Sequence, residues 1–530
     1  MMKKIILGLA VATALTGCKW DITSLGADGW AAVDGPVTGG EGAEQSEIFV
    51  VTNRQELITA LYGSKDASLN NEPNHEPKLI YIKGTIDLSE DTTGNPMSGE
   101  QFMSACPQSG YQDYEAFYTD YREKYNPLEW NKQSLASNGK PIPVYGTLEN
   151  DRACFQKAQQ SHIVFKVGSN TSILGVGENP TIQHGNLVLG NNSAGAEPVK
   201  NVVIRNITFI DAFDYFPAWG PTDSFKIDKN EFGIGNCSDT YVNDAINPAA
   251  CESISGGRWN SEYDLITVNN AQNVWIDHNT FSDGTRTDDQ FPPVFEAPYN
   301  QKEQKVQHHD GLVDITNGST KVTVSYNIFK DHDKTNLLGG SDSAKPELNY
   351  GPGAIDVTFH HNYWENTGQR MPRVRFGRVH VYNNYYNLNA NAEETIYKMG
   401  DAVILGTASK IYSENNVFDI KGTDDWSKII GFSSKTSNRD KCTAVGYSEA
   451  ECGTYFYSAG NIVNDDIVDL MPFAITKSES SSANMPVIAL NPQDPQAFWI
   501  PSFSYEYKLK KAKNLKKYVL KNAGAGNIKK

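Results

Sequence analysis

One sequence pattern returns along most of this chain: apolar residues two apart, a polar pair, an asparagine, and an aromatic residue two positions later. Val274 to Phe281 is a complete copy, and the shortest spacing between repeated asparagines, Asn362 to Asn384, is 22 residues. Short apolar runs repeated at this interval are typical of a solenoid. We therefore predict an all-β fold, a right-handed single-stranded parallel β-helix with short capping helices at its ends. The repeated asparagines are Asn279, Asn327, Asn362, Asn384 and Asn416.

In a stack of this kind, like residues lie over like. We expect the asparagines to form a hydrogen-bonded ladder at one corner and the aromatic residues to form a column in the core. Both sets are interpreted as structural, and so are Trp275, Asp277 and His278.

The charge of the chain limits its partners. The formal net charge is −16 over 530 residues, so nucleic acid is excluded as an expected partner, because phosphate neutralisation requires a basic surface. A polyanionic substrate is compatible only where local arginines or a bound metal reverse the field at one groove. The repeats favour one large domain, and a capped solenoid is expected to be a monomer.

The N-terminus indicates export. Lys3 and Lys4 precede an apolar stretch from Ile5 to Leu15, which is too short for a mature transmembrane span. Leu15-Thr16-Gly17-Cys18 resembles the lipobox of bacterial lipoproteins. That resemblance implies a signal peptide over 1–17, acylation of Cys18, and a protein that is an outer-membrane lipoprotein or secreted. An ordinary leader, with Cys18 a bystander, is the alternative.

We expect a flexible tether over 18–47, because this segment is rich in Gly and Ala and has no apolar periodicity. The folded domain is then 48–530. A capping asparagine and helical apolar spacing predict a helix over Asn53–Tyr62, at the open end of the stack. A second helix is expected in the lysine-rich tail from Tyr505 to Lys530, covering the far end of the solenoid.

Six cysteines remain after Cys18, and an even number in an exported chain suggests disulfides. Proximity in sequence makes neighbouring pairs the simplest connectivity, although other pairings stay open. The spacings do not match zinc or redox motifs, so a structural role is favoured. The expected pairs are Cys106–Cys154, Cys237–Cys251 and Cys442–Cys452.

Two groups of acidic residues fall on neighbouring repeats. Asp310 and Asp314 lie four residues apart, and Glu262 and Asp264 lie two apart. Because side chains on a strand repeat every two residues, each pair is expected to share a face of the sheet. Three or four converging carboxylates suit a hard cation with oxygen ligands, and Ca²⁺ fits better than zinc because no histidine or cysteine is expected among the ligands. His308 and His309 are interpreted as turn residues.

Basic residues follow the next two apolar runs. Lys334 comes after the first of these runs, and Arg370, Arg373 and Arg375 come after the second. Acids that bind cations therefore alternate with bases that bind anions along successive strands. An acidic sugar polymer bridged by calcium would fit between them.

These motifs resemble the pectate lyases of polysaccharide lyase family 1, from about residue 48 to Gly526. The resemblance is carried by Trp275-Ile276-Asp277-His278-Asn279, by Asp310-Gly311-Leu312-Val313-Asp314, by Lys334 before Leu337-Leu338-Gly339-Gly340-Ser341, and by Gln369-Arg370-Met371-Pro372-Arg373-Val374-Arg375.

The resemblance implies a role for each site residue. Asp264, Asp310 and Asp314 would be calcium ligands, with Glu262 as a secondary ligand. Arg370 would abstract the C5 proton of polygalacturonate, and Lys334 and Arg375 would hold uronate carboxylates. Arg373 is an additional base that could serve another sugar subsite.

The implied reaction is β-elimination, in which an anionic carboxylate must accept further negative charge. Cations around that carboxylate supply preorganised electrostatic stabilisation. A guanidinium ordinarily stays protonated, so surrounding cations would have to favour its neutral form, and an alkaline pH optimum would follow. Two insertions, from Asp283 to Gln307 and from about Asp223 to Asn260, are expected to flank the groove and could change the cleavage pattern.

Three alternatives remain. A pectin lyase would act on methyl-esterified pectin without calcium, but the aspartates retained here favour the de-esterified polymer. A non-catalytic surface polysaccharide-binding protein would not require both Arg370 and Lys334. A galacturonan hydrolase would need a water-activating set of carboxylates and would yield saturated ends.

Overall fold

The computed structural model describes residues 26–64, 67–127, 130, 142–190, 196–222, 257–295, 305–342, 355–480, 485–493 and 499–528. Cys18, Cys237 and Cys251, and most of the predicted insertion from Asp223 to Asn260, lie outside these ranges.

The described residues form mainly short strands. The first ten in chain order are β1 (Ile48–Val51), β2 (Lys78–Asp87), β3 (Val164–Val167), β4 (Thr171–Gln183), β5 (Asn186–Leu189), β6 (Val199–Arg205), β7 (Thr208–Ile210), β8 (Ala218–Gly220), β9 (Arg258–Asn260) and β10 (Ile266–Asn269). The next ten are β11 (Ala271–Asp277), β12 (Thr280–Ser282), β13 (Val313–Thr316), β14 (Thr320–Ser325), β15 (Ile328–Lys334), β16 (Leu337–Leu338), β17 (Ile355–His360), β18 (Tyr363–Gln369), β19 (Arg373–Val374) and β20 (Gly377–Tyr382). The last nine are β21 (Tyr385–Asn389), β22 (Val403–Leu405), β23 (Lys410–Glu414), β24 (Val417–Lys421), β25 (Ile430–Phe432), β26 (Thr454–Ala459), β27 (Asn461–Val463), β28 (Asp466–Val468) and β29 (Val487–Ala489).

Most of these strands stack in parallel on three faces, while β8–β9 and β27–β28 are antiparallel pairs. An eight-stranded front sheet contains β3, β5, β10, β13, β16, β19, β22 and β25 in spatial order. A 19-stranded sheet supplies the other two faces. The second face runs from β1 through β6, β11, β14, β17, β20 and β23 to β29, and the third runs from β7 through β12, β15, β18, β21 and β24 to β27. The predicted parallel β-helix is confirmed.

The predicted asparagine ladder lies at the corner between the second and third faces, which we call the ladder corner. After Asn279, which accepts from the N–H of Ile207, the side-chain oxygen of each asparagine accepts a hydrogen bond from the backbone N–H of the asparagine one coil earlier, at 2.8–3.0 Å. The ladder contains a sixth member, Asn461, which the sequence pattern did not identify. Because buried polar groups must be hydrogen-bonded, this chain of amides fixes the register of successive coils.

The predicted aromatic column fills the core behind the third face. Its rings stack at centroid distances of 4.4–5.3 Å, and it comprises Phe209, Phe281, Phe329, Trp364, Tyr386 and Phe418.

Among the described residues, seven α-helices lie outside the coils: α1 (Arg54–Tyr62), α2 (Gly99–Met103), α3 (Tyr114–Lys124), α4 (Thr147–Ile163), α5 (Thr436–Ala444), α6 (Met471–Ser480) and α7 (Leu515–Asn522). Helix α1 is the predicted one. It packs on β1 and β2, and the Asn53 side chain caps it by accepting a hydrogen bond from the N–H of Glu56. At the other end of the stack α6 packs against β25, β26 and β29.

The connection between β2 and β3 is a helical insertion that the repeat pattern did not predict. The Cys106–Cys154 disulfide joins the end of α2 to α4. The predicted Cys442–Cys452 disulfide is also present, whereas Cys237–Cys251 cannot be described. From α4, Arg152 and Gln159 donate to the carbonyls of Phe216 and Phe213. The insertion therefore supports the start of the long connection between β7 and β10.

The prediction of a flexible tether over 18–47 is wrong for residues 26–47. This segment lies along the second face, where the backbone N–H groups of Trp30 and Ala31 donate to threonine hydroxyls of β17 and β14 at 3.0 Å. A Cβ atom on Gly40 would lie 1.9 Å from the carbonyl oxygen of Lys78. The small residues that suggested a linker are therefore the ones that allow backbone to pack directly on the sheet.

The prediction that the lysine-rich tail covers the far end of the solenoid is wrong. The tail runs along the ladder corner instead. Leu515 and Val519 of α7 are fully buried against Tyr363, Tyr385 and Val417. Beyond the helix, the N–H of Gly526 donates to the side chain of Asn206. The helix has an amphipathic pattern, and the aromatic residues on the flank supply the apolar surface that it covers.

Within the described ranges, no helix combines the length and the apolar content needed to cross a bilayer.

Candidate active site

The predicted site residues lie in or next to four consecutive strands of the front sheet, β10, β13, β16 and β19. Asp264 precedes β10, Asp310 and Asp314 flank the start of β13, Lys334 ends β15 before the turn to β16, and Arg370, Arg373 and Arg375 surround β19. The register pairs Thr267 with Asp314 and Leu337 with Arg373. With stacked strands about 4.8 Å apart, the aspartates and the arginines lie within about 15 Å of each other on one face.

The three predicted calcium ligands form one cluster of carboxylates. Asp264 accepts hydrogen bonds from the N–H of Gly311 at 2.8 Å and from the hydroxyl of Thr267 at 2.6 Å. Asp314 accepts from the N–H of Leu337 at 3.0 Å. Asp264 and Asp314 are buried, while the Asp310 side chain keeps 31 % of its surface exposed. Hydrogen bonds therefore fix the side chains of Asp264 and Asp314, and Asp310 is partly exposed to solvent.

Burial and mutual repulsion act on these acids. Burial, followed by the charge of Asp310, raises the pKa of Asp264 to about 7. Burial and the charges of Asp264 and Asp310 raise the pKa of Asp314 well above its ordinary value. Burial also opposes ionisation of Asp310, but Lys334 and Arg370 outweigh it and hold its pKa below the usual range. These carboxylates are packed too closely for all of them to ionise without a compensating charge, so the cluster is suited to binding a cation.

Gly311 leaves room for such a cation. A Cβ atom at this position would lie 2.4 Å from Asp314 Oδ1 and 2.7 Å from Asp264 Oδ1. The two oxygens therefore flank a space that only a glycine leaves open. An all-oxygen donor set around this space fits a hard cation such as Ca²⁺.

The prediction that Glu262 shares a strand face with Asp264 is wrong. Residues 261–264 lie before β10 in irregular backbone, where alternation does not apply, and Glu262 is exposed while Asp264 is buried. The Glu262 N–H donates to Asp214 Oδ2 at 3.1 Å. Similarly, Asp314 lies in β13 but Asp310 precedes it, so the tight turn at Gly311 brings these two carboxylates together.

Lys334 forms a hydrogen-bonded ion pair with Asp310. The lysine side chain is only 4 % exposed, and Gly311 pairs with Lys334 as an isolated parallel bridge. An ammonium group has three N–H donors and a carboxylate has two oxygens, so each partner keeps capacity for a further ligand. The predicted metal ligand and the predicted substrate-binding group are therefore in direct contact.

Arg370 occupies a turn held by its own carbonyl. That carbonyl accepts hydrogen bonds from the Thr335 hydroxyl at 2.6 Å and the Asn336 N–H at 2.8 Å. The backbone of Arg370 has a φ of 65°, which is uncommon outside glycine and asparagine and occurs at functional sites. Among the described residues, Arg370 Nε is buried without a hydrogen-bond partner. The guanidinium is thus placed by its backbone and is available to a ligand.

Arg373 and Arg375 share one counter-ion. Asp342 lies 3.5 Å from Arg373 Nη2 and 3.0 Å from Arg375 Nε, and Arg375 also donates to the carbonyl of Gly339 at 2.8 Å. Burial, then the charges of Arg375 and Arg370, lower the pKa of Arg373 to about 9. Together with Arg370, these guanidinium groups concentrate positive charge at this end of the site, which favours an anionic ligand.

Arg258 adds a cation that the sequence analysis missed. It begins β9, which pairs antiparallel with β8 to form a hairpin in the long connection before β10. Burial, Arg375 and Arg370 have larger effects on the pKa of Arg373, but the charge of Arg258 lowers it as well. No motif surrounds it in the sequence, because the hairpin alone brings it to the front sheet.

A buried network of histidines and aspartates adjoins the site, so His308 and His309 are not simple turn residues. His308 stacks on Phe213 at 4.3 Å, and burial lowers its pKa to about 3. His309 Nε2 lies 2.9 Å from Asp211. His332 reaches Asp283 with Nδ1 at 2.6 Å and the carbonyl of Asp310 with Nε2 at 2.9 Å.

The network also contains a group that could hold a metal. Ligand atoms of Asp283, Asp288 and His309 all lie within 4.8 Å of one another. This group is distinct from the predicted calcium ligands, and it already contains a cation, because Lys305 forms an ion pair with Asp288. We interpret it as an internal ion network that supports the connection between β12 and β13.

A cavity of about 770 Å³ separates the connection between β12 and β13 from the connection between β21 and β22. It is lined by Asp288, Pro292 and Lys305 on one side and by residues 392–396 on the other, and it contains none of the predicted site residues. Lys305 also lies 3.3 Å from Asp333, the neighbour of Lys334, so the described part of the predicted insertion from Asp283 to Gln307 reaches the strand that carries Lys334.

Comparison with known proteins identifies this combination of fold and residues. A family model described as pectate lyase matches residues 142–528. A pectate lyase from Bacillus subtilis (strain 168) is 33 % identical over 533 residues, covering 99 % of this chain and 100 % of that protein.

Solved structures agree. A pectate lyase from Acidovorax avenae subsp. citrulli is 38 % identical and superposes with a TM-score of 0.78, covering 95 % of each chain. A pectate lyase solved with a bound hexasaccharide is 32 % identical with a TM-score of 0.69, covering 95 % of this chain and 97 % of that one.

Proposed function

This chain belongs to the pectate lyase family and is a polysaccharide lyase, and we propose that it cleaves α-1,4-polygalacturonate, the de-esterified form of pectin, by calcium-dependent β-elimination. The expected products are 4,5-unsaturated oligogalacturonides. The observation that carries the proposal is the juxtaposition on the front sheet of three clustered aspartates with Lys334 and the arginines around β19.

Asp264, Asp310 and Asp314 would hold the calcium ion, and the exposed Glu262 could contribute only as a secondary ligand. The open space at Gly311 and the raised pKa of Asp264 support this assignment. When bound, calcium would draw negative charge from a uronate carboxylate and so acidify the neighbouring C–H bond.

The basic residues would act on the sugar. Arg370 would accept the C5 proton, the C4–O bond would break, and the electron pair of the C–H bond would form the C4–C5 double bond, while the departing oxygen would take a proton from solvent. Lys334 and Arg375 would hold the uronate carboxylate and stabilise its developing charge. Arg373 and Arg258 would bind the carboxylate of a neighbouring sugar. Because a methyl ester carries no charge, these cations favour the polyanionic substrate over the methyl-esterified one.

Two other functions make different predictions. A pectin lyase has no use for the cluster of Asp264, Asp310 and Asp314, in which the buried Asp264 and Asp314 ionise unfavourably without a cation. A non-catalytic polysaccharide-binding protein would not require the unpartnered Nε of Arg370.

The test is the ultraviolet absorbance of the unsaturated product, measured with polygalacturonate and with methyl-esterified pectin, in calcium and in chelator. We expect absorbance to rise only with polygalacturonate and calcium. Cleavage of pectin that is insensitive to chelator would favour a pectin lyase. Products with saturated reducing ends would favour a galacturonan hydrolase, and binding of polymer without cleavage would favour a polysaccharide-binding protein.

The domain and its location are also part of the proposal. The catalytic domain would span 48–530 together with the packed segment 26–47, a signal peptide would be removed before Cys18, and acylation of Cys18 would leave an exported lipoprotein of the outer membrane. The membrane would then be contacted through the lipid anchor. Metabolic labelling with a fatty acid tests the anchor, since Cys18→Ala would remove the label.

A further inference from the structure

The C-terminal segment carries a concentration of positive charge on an otherwise acidic protein. Residues 505–528 contain seven lysines and one glutamate, in a chain of net charge −16. All seven lysines are exposed, and six of them form what we call the lysine surface: Lys508, Lys510, Lys511, Lys513, Lys517 and Lys521.

The charge of the lysine surface is not neutralised within the protein. In the part of the chain that the structure describes, Lys516 is paired with Asp419, but none of the six forms an ion pair. Lys513, Lys517 and Lys521 are four residues apart and so project on one side of the helical segment. They line a hollow of about 740 Å³ together with Lys510, Lys511 and Tyr518.

Apolar side chains are interleaved with these lysines. Leu509 is 40 % exposed and Leu520 is 47 % exposed. Both belong to a segment whose buried positions, Leu515 and Val519, are already occupied by packing on the solenoid. Exposed leucines among lysines suit the boundary between headgroups and acyl chains, because lysine stems can lie along apolar surface with their charges in water.

The N-terminal segment begins beside the lysine surface. Asp28 forms an ion pair with His360 at 2.7 Å, and the ring of the adjacent His361 lies 5.5 Å from that of Tyr518, over which Lys510 places its ammonium group. Seven residues separate Cys18 from Gly26. Extended chain of that length spans at most about 30 Å, so a lipid on Cys18 would hold this side of the protein near the bilayer.

We propose that the lysine surface docks on anionic, phosphate-bearing lipid headgroups. Near an anionic bilayer each lysine contributes about 1 kcal/mol of attraction, so the lysine surface adds to the attachment that a lipid on Cys18 would supply. The ladder corner lies opposite the front sheet, so docking there turns the site around Arg370 away from the membrane and toward soluble polymer. The anchoring part rests on the proposed acylation of Cys18, whereas the headgroup contact does not.

The test is co-sedimentation of the unacylated chain from residue 19, which keeps every described contact, with lipid vesicles. We expect binding to vesicles of phosphatidylglycerol and phosphatidylcholine in equal parts, loss of binding at high salt, and little binding to phosphatidylcholine alone. The triple variant Lys513→Glu, Lys517→Glu, Lys521→Glu should bind on the order of 100-fold more weakly, which corresponds to about 1 kcal/mol for each lysine.

The matched control is Lys157→Glu, Lys435→Glu, Lys441→Glu, which makes the same charge change at exposed lysines elsewhere and should bind vesicles almost as well as the wild type. Circular dichroism shows whether each variant is folded. The proposal is overturned if the anionic vesicles are not bound, if both triple variants lose binding equally, or if the tail variant instead loses retention on immobilised polygalacturonate. Because no step requires turnover, failure here is separate from failure of the proposed lyase activity.

Discussion

At the scale of single residues, the site depends on positions that are small as much as on positions that are charged. Gly311 carries no functional group, yet its missing side chain leaves the space between Asp264 and Asp314 open. Lys334 and Asp310 form an ion pair, and the ammonium group still has N–H donors and the carboxylate still has lone pairs for a further ligand. The site is therefore preorganised by contacts that its ligands can join without displacing them.

Gly311→Ala is expected to weaken calcium binding at least tenfold while the protein stays folded, because the added methyl group would occupy the space beside two carboxylate oxygens. Isothermal titration with calcium gives the affinity. Gly400→Ala is the control, since its Cβ atom would meet only the Gly368 carbonyl, at 3.8 Å. Equal affinities in the two variants would show that calcium does not bind at Gly311.

Calcium affinity is expected to rise with pH through about 7. Asp264, whose pKa is raised to about 7, and Asp314, whose pKa is raised well above its ordinary value, must release their protons before they can bind a metal. Below this range protons compete and the apparent affinity falls; above it the affinity levels off. Calcium titrations at a series of pH values would measure the trend, and affinity that is independent of pH from about 5 to about 9 would contradict it.

The residues that sequence analysis identified are those that occur in short linear motifs. Asp310-Gly311-Leu312-Val313-Asp314 and Arg370 to Arg375 each come from one segment, so their proximity follows from local geometry and the stacking of coils. Arg258 and His309 could not be found in this way, because irregular connections bring them to the site. His309 meets Asp211 across 98 residues, and no periodicity encodes that contact.

At the scale of secondary structure, the coil is the unit that the sequence specifies. The asparagine ladder and the aromatic column follow from the repeat, since each strand must place one amide at the corner and one ring in the core. Where backbone is irregular, the alternation rule fails. Glu262 and Asp264 were expected on one face, but their segment ends before β10 begins, so a two-residue spacing carries no information about direction.

Asn362→Ala is expected to lower the free energy of unfolding by about 2–4 kcal/mol, because it leaves the buried N–H of Asn327 and the carbonyl of Val324 without partners. Chemical denaturation measures this change. Asn387→Ala removes an amide on the third face whose only described side-chain contact is a 3.4 Å hydrogen bond to Tyr363, and it should cost less than about 1 kcal/mol. Similar losses in both variants would argue against a ladder that stabilises the stack.

At the scale of the whole molecule, the two terminal segments pack along the solenoid and meet each other. Trp30 stacks on Trp499 at 6.0 Å and lies under the guanidinium of Arg378. Composition alone suggested a tether for the first segment, because glycine and alanine are common in linkers. Glycine and alanine are also required where one backbone segment packs closely on another. Only the packed structure distinguishes such a segment from a flexible linker.

Trp30→Ala is expected to destabilise the protein by about 3–5 kcal/mol, the usual cost of removing a buried tryptophan. A flexible tether would predict no change. Thermal unfolding provides the comparison, with Phe503→Ala as the control, since that aromatic side chain in the C-terminal segment is 57 % exposed. An unfolding temperature of Trp30→Ala equal to that of the wild type would rule out a packed N-terminal segment.

The central claim is that Arg370 removes a proton from a uronate held between the aspartates and the other cations of the front sheet. The most direct test is the rate of unsaturated product formation from polygalacturonate at saturating calcium, for Arg370→Ala and for Arg378→Ala, whose guanidinium is bound to Asp356 on the second face. We predict that Arg370→Ala slows the reaction by about 10²–10⁴-fold without weaker calcium binding, as loss of a general base requires, and that Arg378→Ala retains the wild-type rate. A wild-type rate in Arg370→Ala would contradict the account.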